Sequence, residues 1–289
     1  MLRQARRPSA IIAFAILCSL LSGENHIIAQ ATNARLVELT PFEFDTTSPD
    51  RKQFGALTFM SAFQLDSKDK RFGGLSGLTV GLDGKLYAIS DRGYWLSARI
   101  ASNADGALMD LVDWQIAPML TQAKTPVTGS LADAEALARA QDGLLLVAFE
   151  GSHRIWRYDA PPKTFASTPT PIAVPAELSR APNNGGLEGL TSLPDGRLLA
   201  LTEEFANSDG SFKGWLLDGS QFAELSYLPA KGFRVTDCAA LKNGDLLVLE
   251  RRYVPFGVLS ARLTLVDGKT VKPGAKLSGR ELLKIEQPL

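Results

Sequence analysis

The chain has 289 residues, with 31 Lys and Arg against 31 Asp and Glu, two His, two Cys and 45% hydrophobic residues. A formal charge of zero gives no basic footprint for nucleic acid, and the apolar content excludes a disordered chain. Two cysteines build neither a disulfide framework nor a zinc site, so small polar ligands, sugars, esters and metal ions remain as partners.

The chain opens like an export signal. Arg3, Arg6 and Arg7 precede an apolar run from Ser9 to Leu21, and Ala29-Gln30-Ala31 offers a small-x-small cleavage site. That run is too short for a membrane span, which needs about 20 residues. Cleavage would leave a single domain over 32–289, outside the cytoplasm and with no stable membrane span. Removing three Arg and one Glu leaves that domain with 28 basic and 30 acidic side chains, one histidine (His153) and one cysteine. The lone Cys238 reads as a small buried apolar residue.

A turn followed by a short apolar run recurs four times in the rest of the chain. Leu75-Ser76-Gly77-Leu78 leads to Asp83-Gly84, then Leu86 to Ser90, and ends at Asp91. The second copy has Glu135, Asp142-Gly143 and Glu150, and the third has Glu188, Asp195-Gly196 and Glu203-Glu204. The fourth has Asp237, Asn243-Gly244 and Glu250-Arg251-Arg252. The four glycines are 59, 53 and 48 residues apart, a period that signals an array or a propeller. Asp-Gly and Asn-Gly between apolar runs predict hairpins, and the nearly continuous apolar runs suit strands buried on both faces.

Further strands are predicted at Arg154–Tyr158, Lys213–Leu217, Phe222–Leu228 and Ser260–Val266. Leu131–Gln141 is Ala-rich and could be helical on propensity, but its alignment with three β-like copies makes it a strand. The fold expected is all-β, a β-propeller of about five four-stranded blades, with six as the alternative.

One acid precedes each turn and another follows it, so a hairpin brings the two to the same end. The expected pairs are Glu135 with Glu150, Glu188 with Glu203, and Asp237 with Glu250; the first copy carries Ser76 and Asp91. Around a propeller axis these ends meet at one channel mouth, where converging carboxylates need a cation or take up protons. Glu135, Glu150, Glu188, Glu203, Asp237 and Glu250 are the candidate metal ligands, for Ca²⁺ ahead of Mg²⁺. Asp91, Arg92, Glu188, Glu203 and Arg251 are the candidate catalytic residues, because arginine beside acids suits binding of phosphate or carboxylate. The chemistry expected is metal-assisted hydrolysis of an ester or phosphate ester.

These motifs carry a family resemblance. Gly73-Gly74-Leu75-Ser76-Gly77-Leu78 with Ile89-Ser90-Asp91-Arg92-Gly93, then Asp133-Ala134-Glu135-Ala136-Leu137, resemble the phytase-like family, whose domain is described as esterase-like activity of phytase. Asn184-Gly185-Gly186-Leu187-Glu188-Gly189-Leu190 and Asp237-Cys238-Ala239-Ala240-Leu241 with Leu249-Glu250-Arg251-Arg252 extend the match over most of 54–285. The resemblance implies an exported bacterial β-propeller, periplasmic or secreted, that acts on a small-molecule ester or phosphate ester. The chain lacks the Asp-rich signature of calcium-dependent propeller phytases. The family pattern also leads one to expect another copy after Ile285. Either strands at Leu36–Phe44 and Phe54–Leu65 complete the last blade, or the chain is a shortened version.

Other chemistry is weaker. Gly74-Leu75-Ser76-Gly77-Leu78 misses the last glycine of a nucleophile elbow, and Asn183-Asn184-Gly185-Gly186 lacks the Lys-Ser/Thr of a phosphate loop. His153 is close enough in sequence to Glu150 to reach the rim, though a lone histidine reads first as structural. Tyr94, Trp95, Trp156 and Trp215 read first as packing aromatics and second as a sugar-binding face. The alternative function is a non-catalytic propeller that binds a small anionic ligand, a sugar or a protein on the same rim.

Overall fold

A computed structural model describes residues 35–254 and 258–288, so the expected signal segment lies outside the described residues. Before the repeats come β1 (Glu38–Pro41), β2 (Gln53–Phe54), β3 (Leu57–Thr58) and β4 (Phe63–Asp66). Blade 1 comprises β5 (Leu75–Val80), β6 (Lys85–Ser90), β7 (Tyr94–Ser102) and β8 (Leu108–Pro118). Blade 2 comprises β9 (Ala134–Arg139), β10 (Leu145–Phe149), β11 (Arg154–Tyr158) and β12 (Thr170–Ile172). Blade 3 holds β13 (Leu187–Ser192), β14 (Leu198–Ala206), β15 (Phe212–Asp218) and β16 (Gln221–Tyr227). Blade 4 holds β17 (Arg234–Ala240), β18 (Leu246–Tyr253) and β19 (Val258–Val266). After β20 (Lys276–Leu277), which adds in parallel to β16, its fourth strand is β21 (Arg280–Pro288).

The fold is the expected all-β propeller arrangement, but with four blades rather than five. Residues 38–66 form two small sheets outside the blades, β1 with β4 and β2 with β3. These N-terminal strands therefore do not complete the last blade, as had been one expectation. Instead Ala56 N donates to the Leu282 carbonyl of β21 at 3.1 Å, while Arg35 pairs with Asp110 of β8 at 2.7 Å. Among the described residues no helix is long and apolar enough to cross a membrane.

The Asp-Gly hairpins form for the expected reason. Gly84, Gly143, Gly196 and Gly244 have φ of 76°, 86°, 90° and 92°, a region other residues rarely enter. The acid or amide ahead of each accepts from the backbone two residues on, as in Asp83 to Lys85 N at 3.2 Å and Asp195 to Arg197 N at 3.0 Å.

Packing follows chain order, with β5 against β9, β9 against β13, and β13 against β17. Each gap between blades holds one apolar core. Trp95, Phe149 and Trp156 fill the first, Leu187, Leu190 and Trp215 the second, and Leu199, Tyr227 and Val248 the third. Among the described residues no comparable packing joins β17 back to β5. Consistently, every residue of β5 is half-exposed, whereas β9 and β13 are mostly buried. The blades therefore form an arc.

Close approach of the inner strands dictates small residues. A Cβ on Gly77 would lie 2.8 Å from Leu137 N and 3.0 Å from Leu137 Cβ in the next blade. Gly77→Ala should therefore force the first two blades apart and cost about 1–3 kcal/mol. A urea midpoint lowered at unchanged m is the expected readout.

Candidate active site on the blade rim

The inner hairpins converge at one end through a shared irregularity. In all four blades the register of the two inner strands shifts by one residue near the start of the inner strand. Leu75 pairs with Ser90 but Gly77 with Ile89, which leaves Ser76 in a bulge. The same shift leaves Glu135, Glu188 and Thr236 unpaired in the other blades. Bulges re-aim side chains and are common beside active sites. Here each one presents its side chain at the rim.

The strand-end positions opposite are Asp91, Glu150, Glu203 and Arg251. Asp91 N donates to Gly74 O, Glu150 N to Asp133 O and Glu203 N to Gly186 O, each at 2.8 Å, and Arg251 pairs with Arg234 in register. The rim thus carries three equivalent positions per blade. The first series is Gly74, Asp133, Gly186 and Arg234; the second is Ser76, Glu135, Glu188 and Thr236; the third is Asp91, Glu150, Glu203 and Arg251.

Acids therefore gather over blades 2 and 3. One carboxylate oxygen from each of Asp133, Glu135 and Glu150 lies within 4.8 Å of the others, an arrangement able to hold a metal ion. Glu150 is 3% exposed and accepts from Gly186 N at 2.5 Å. Burial, reinforced by the charge of Asp133, raises the Glu135 carboxyl to about 9. Burial and the charges of Glu203 and Asp133 raise Glu150 to about 7, against the Gly186 hydrogen bond that lowers it. Glu188 is pushed well up by burial and by its neighbours Glu135, Glu203 and Glu150. Glu203 is raised by burial, while Arg251, at 3.3 Å, opposes the rise.

Gly186 makes this crowding possible. A Cβ there would lie 2.4 Å from the His153 ring and 3.4 Å from Glu150 Oε1. His153 Nε2 lies 3.3 Å from the Ala181 carbonyl and donates to it.

Two expected ligands lie elsewhere. Glu250 occupies the register position before Arg251 and reaches into the gap between blades 3 and 4. There it accepts from Tyr227 Oη at 2.5 Å and pairs with Arg262 at 2.7 Å, 1% exposed. Asp237 follows the bulge instead of occupying it, and a one-residue slip in a strand reverses the face. It stands where Gly77, Ala136 and Gly189 stand in the other blades; its carboxylate accepts from Cys238 N at 2.7 Å, and burial raises it to about 7.

In blade 1, Ser76 Oγ donates to the Ala134 carbonyl of blade 2. Asp91 lies at the same rim, 4.0 Å from Arg92 Nε. The Arg92 guanidinium donates to the carbonyls of Lys70, Phe72 and Gly73 at 3.0, 2.6 and 2.8 Å, and so braces the segment that enters β5. Cys238 is buried as expected. Trp95, Trp156 and Trp215 are core residues, 1%, 9% and 2% exposed, not a sugar-binding face.

Asp133 and Arg234 were not singled out from the sequence. Their common signal was strict spacing. Counted back from the hairpin glycine, ten residues give Gly74, Asp133, Gly186 and Arg234, and eight give Ser76, Glu135, Glu188 and Thr236; seven residues forward give Asp91, Glu150, Glu203 and Arg251.

The phytase-like family, described as esterase-like activity of phytase, matches residues 70–289. No curated protein matches the chain. Among solved structures, a streptogramin B lyase aligns at 15% identity and TM-score 0.41, over 80% of this chain and 60% of that one. A gluconolactonase from Xanthomonas campestris aligns at 13% identity and TM-score 0.43, over 76% of this chain and 65% of that one. Virginiamycin B lyase from Staphylococcus aureus aligns at 11% identity and TM-score 0.39, over 87% and 88% of the two chains. The chain thus spans less than two thirds of the length of the first and second of these proteins.

Asp237 generates a stability prediction. Its folded-state pKa of about 7 lies above the usual carboxylate value, so the folded state holds the proton more tightly. The contribution is fully present below about pH 4 and is lost as pH rises toward 7. Asp237→Asn, neutral throughout, should match the wild type at pH 4 and exceed it in Tm by roughly 5 °C at pH 8. Thermal unfolding across pH checks this.

Proposed function

Because the chain belongs to the phytase-like family, we propose that it is an exported hydrolase of carboxylic or phosphate esters, with its active site on the acid rim of blades 2 and 3. The observation that carries this reading is the trio of carboxylate oxygens from Asp133, Glu135 and Glu150 within 4.8 Å of one another, beside the half-buried Glu188. Acids at that spacing, one buried and two half-buried, repel unless they are protonated or share a cation, and an all-oxygen donor set suits Ca²⁺ or Mg²⁺. Those three residues would hold the ion; when bound, it would polarise the ester or phosphoryl oxygen.

The remaining roles belong to the chain's own groups. Glu188, whose carboxyl is pushed toward the protonated form by burial and by three acidic neighbours, is suited to give a proton to the leaving oxygen. Arg251, oriented by Glu203 at 3.3 Å, offers its other guanidinium donors to an anionic oxygen of the substrate. Asp91 borders the acids from blade 1, and Arg92 positions the segment beside it. A non-catalytic binding rim would favour exposed aromatics. The burial of Trp95, Trp156 and Trp215 speaks for the hydrolase. Export rests on Arg3, Arg6, Arg7 and the apolar run that follows.

Turnover of p-nitrophenyl acetate and p-nitrophenyl phosphate, with added Ca²⁺ and then chelator, tests the reading. At least one ester should be hydrolysed, chelation should suppress turnover, and Glu188→Gln should lower kcat by about 100-fold or more. No turnover of either ester under any metal condition would overturn it.

A further inference from the structure

Next to the acid rim, the turn between β14 and β15 and the loop from β16 to β17 enclose a cleft of about 400 Å³. That volume lies within the range of about 300–1,000 Å³ used for small-molecule sites. Phe212, Leu228, Pro229 and Phe233 give it apolar walls, and Lys231 and Arg234 give it cations.

The two cations differ. Arg234 is paired with Glu204, the residue after Glu203 of the acid rim. Lys231 is exposed, and among the described residues no carboxylate pairs with it. One uncompensated ammonium on an otherwise apolar wall matches a ligand with an apolar body and one anionic group.

The walls are held in place. Glu250, buried beneath the loop, accepts from Tyr227 Oη at 2.5 Å and from Ala230 N at 3.3 Å, and is neutralised by Arg262 at 2.7 Å. The Arg252 guanidinium lies 5.1 Å from the centroid of the Phe233 ring, which is 4% exposed. Buried contacts thus anchor the loop at both ends of its turn, while Leu228, 39% exposed, and Lys231 face solvent. A site fixed in this way binds without ordering a loose loop.

We infer that this cleft binds the uncleaved part of the substrate, a small aryl or alkyl group bearing a carboxylate or similar anion, with the anion against Lys231. The substrate role rests on the hydrolase reading; the binding itself does not. Isothermal titration calorimetry with 3-phenylpropionate and with 3-phenyl-1-propanol, which has the same body without the charge, separates the two. Wild-type protein should bind the carboxylate about tenfold more tightly than the alcohol. Lys231→Glu should abolish that preference, and Leu228→Glu should weaken both ligands about tenfold.

Equal affinity for acid and alcohol, no saturable binding, or an acid affinity untouched by both variants would overturn the cleft. Binding as expected with no ester hydrolysed would sink the hydrolase reading alone. Hydrolysis without binding would sink only the cleft.

Discussion

Two β-strands that pack face to face near a propeller axis can approach only where a side chain is nearly absent. That constraint organises this protein. A Cβ on Gly77 would press on the backbone of the following blade, and one on Gly189 would lie a tight 3.1 Å from Cys238 Sγ; Ala136 stands at the same position in blade 2. The residue just before each of them is pushed out of the ladder by a bulge. Tight packing below and a projecting side chain above are therefore one event repeated from blade to blade. Where the projecting residue is Ser76 it ties two blades together through Ala134; where it is Glu135 or Glu188 it adds to a concentration of negative charge.

That concentration is costly on its own terms. Carboxylates packed without counter-charge hold protons they would release in water, as Glu135 does at about 9. Arginine enters at the edges, through Arg92 beside Asp91, Arg251 on Glu203 and Arg234 on Glu204. The outcome is a gradient across the rim, from acids over blade 2 with no arginine partner among the described residues to the compensated Glu203 and Glu204 of blade 3. An apolar cleft with a single free ammonium lies just past the compensated end. Such polarity suits a molecule that is handled by acids at one end and held by a cation at the other.

Most of the fold was legible because its signals are local. Asp-Gly and Asn-Gly demand left-handed glycines, and each stands in a hairpin between strands close to those expected; Arg154–Tyr158 matches β11 in both bounds. The blade count was not legible, because residues 38–66 look like blade strands yet pair among themselves. At the rim, Glu135, Glu150, Glu188 and Glu203 could be placed together from spacing alone. Asp237 and Glu250 could not be told from their neighbours by residue type, because a bulge moves register by one and chemistry then changes face. Thr236 and Arg251 hold the equivalent positions, and neither is an acid. The hydrogen bonds of Arg92 to backbone carbonyls, beside its approach to Asp91, leave no trace in any motif.

The N-terminal segment has a consequence for how the molecule comes apart. Blades that touch only their neighbours behave as a one-dimensional array, able to lose structure from either end. Here one stretch of chain grips β8 of the first blade through Arg35 and β21 of the last through Ala56. Ala56 and Leu282 are far apart in sequence, so these contacts should form late in folding. Once made, they bind the two free ends of the array into one cooperative unit, and fraying at either end must first break them.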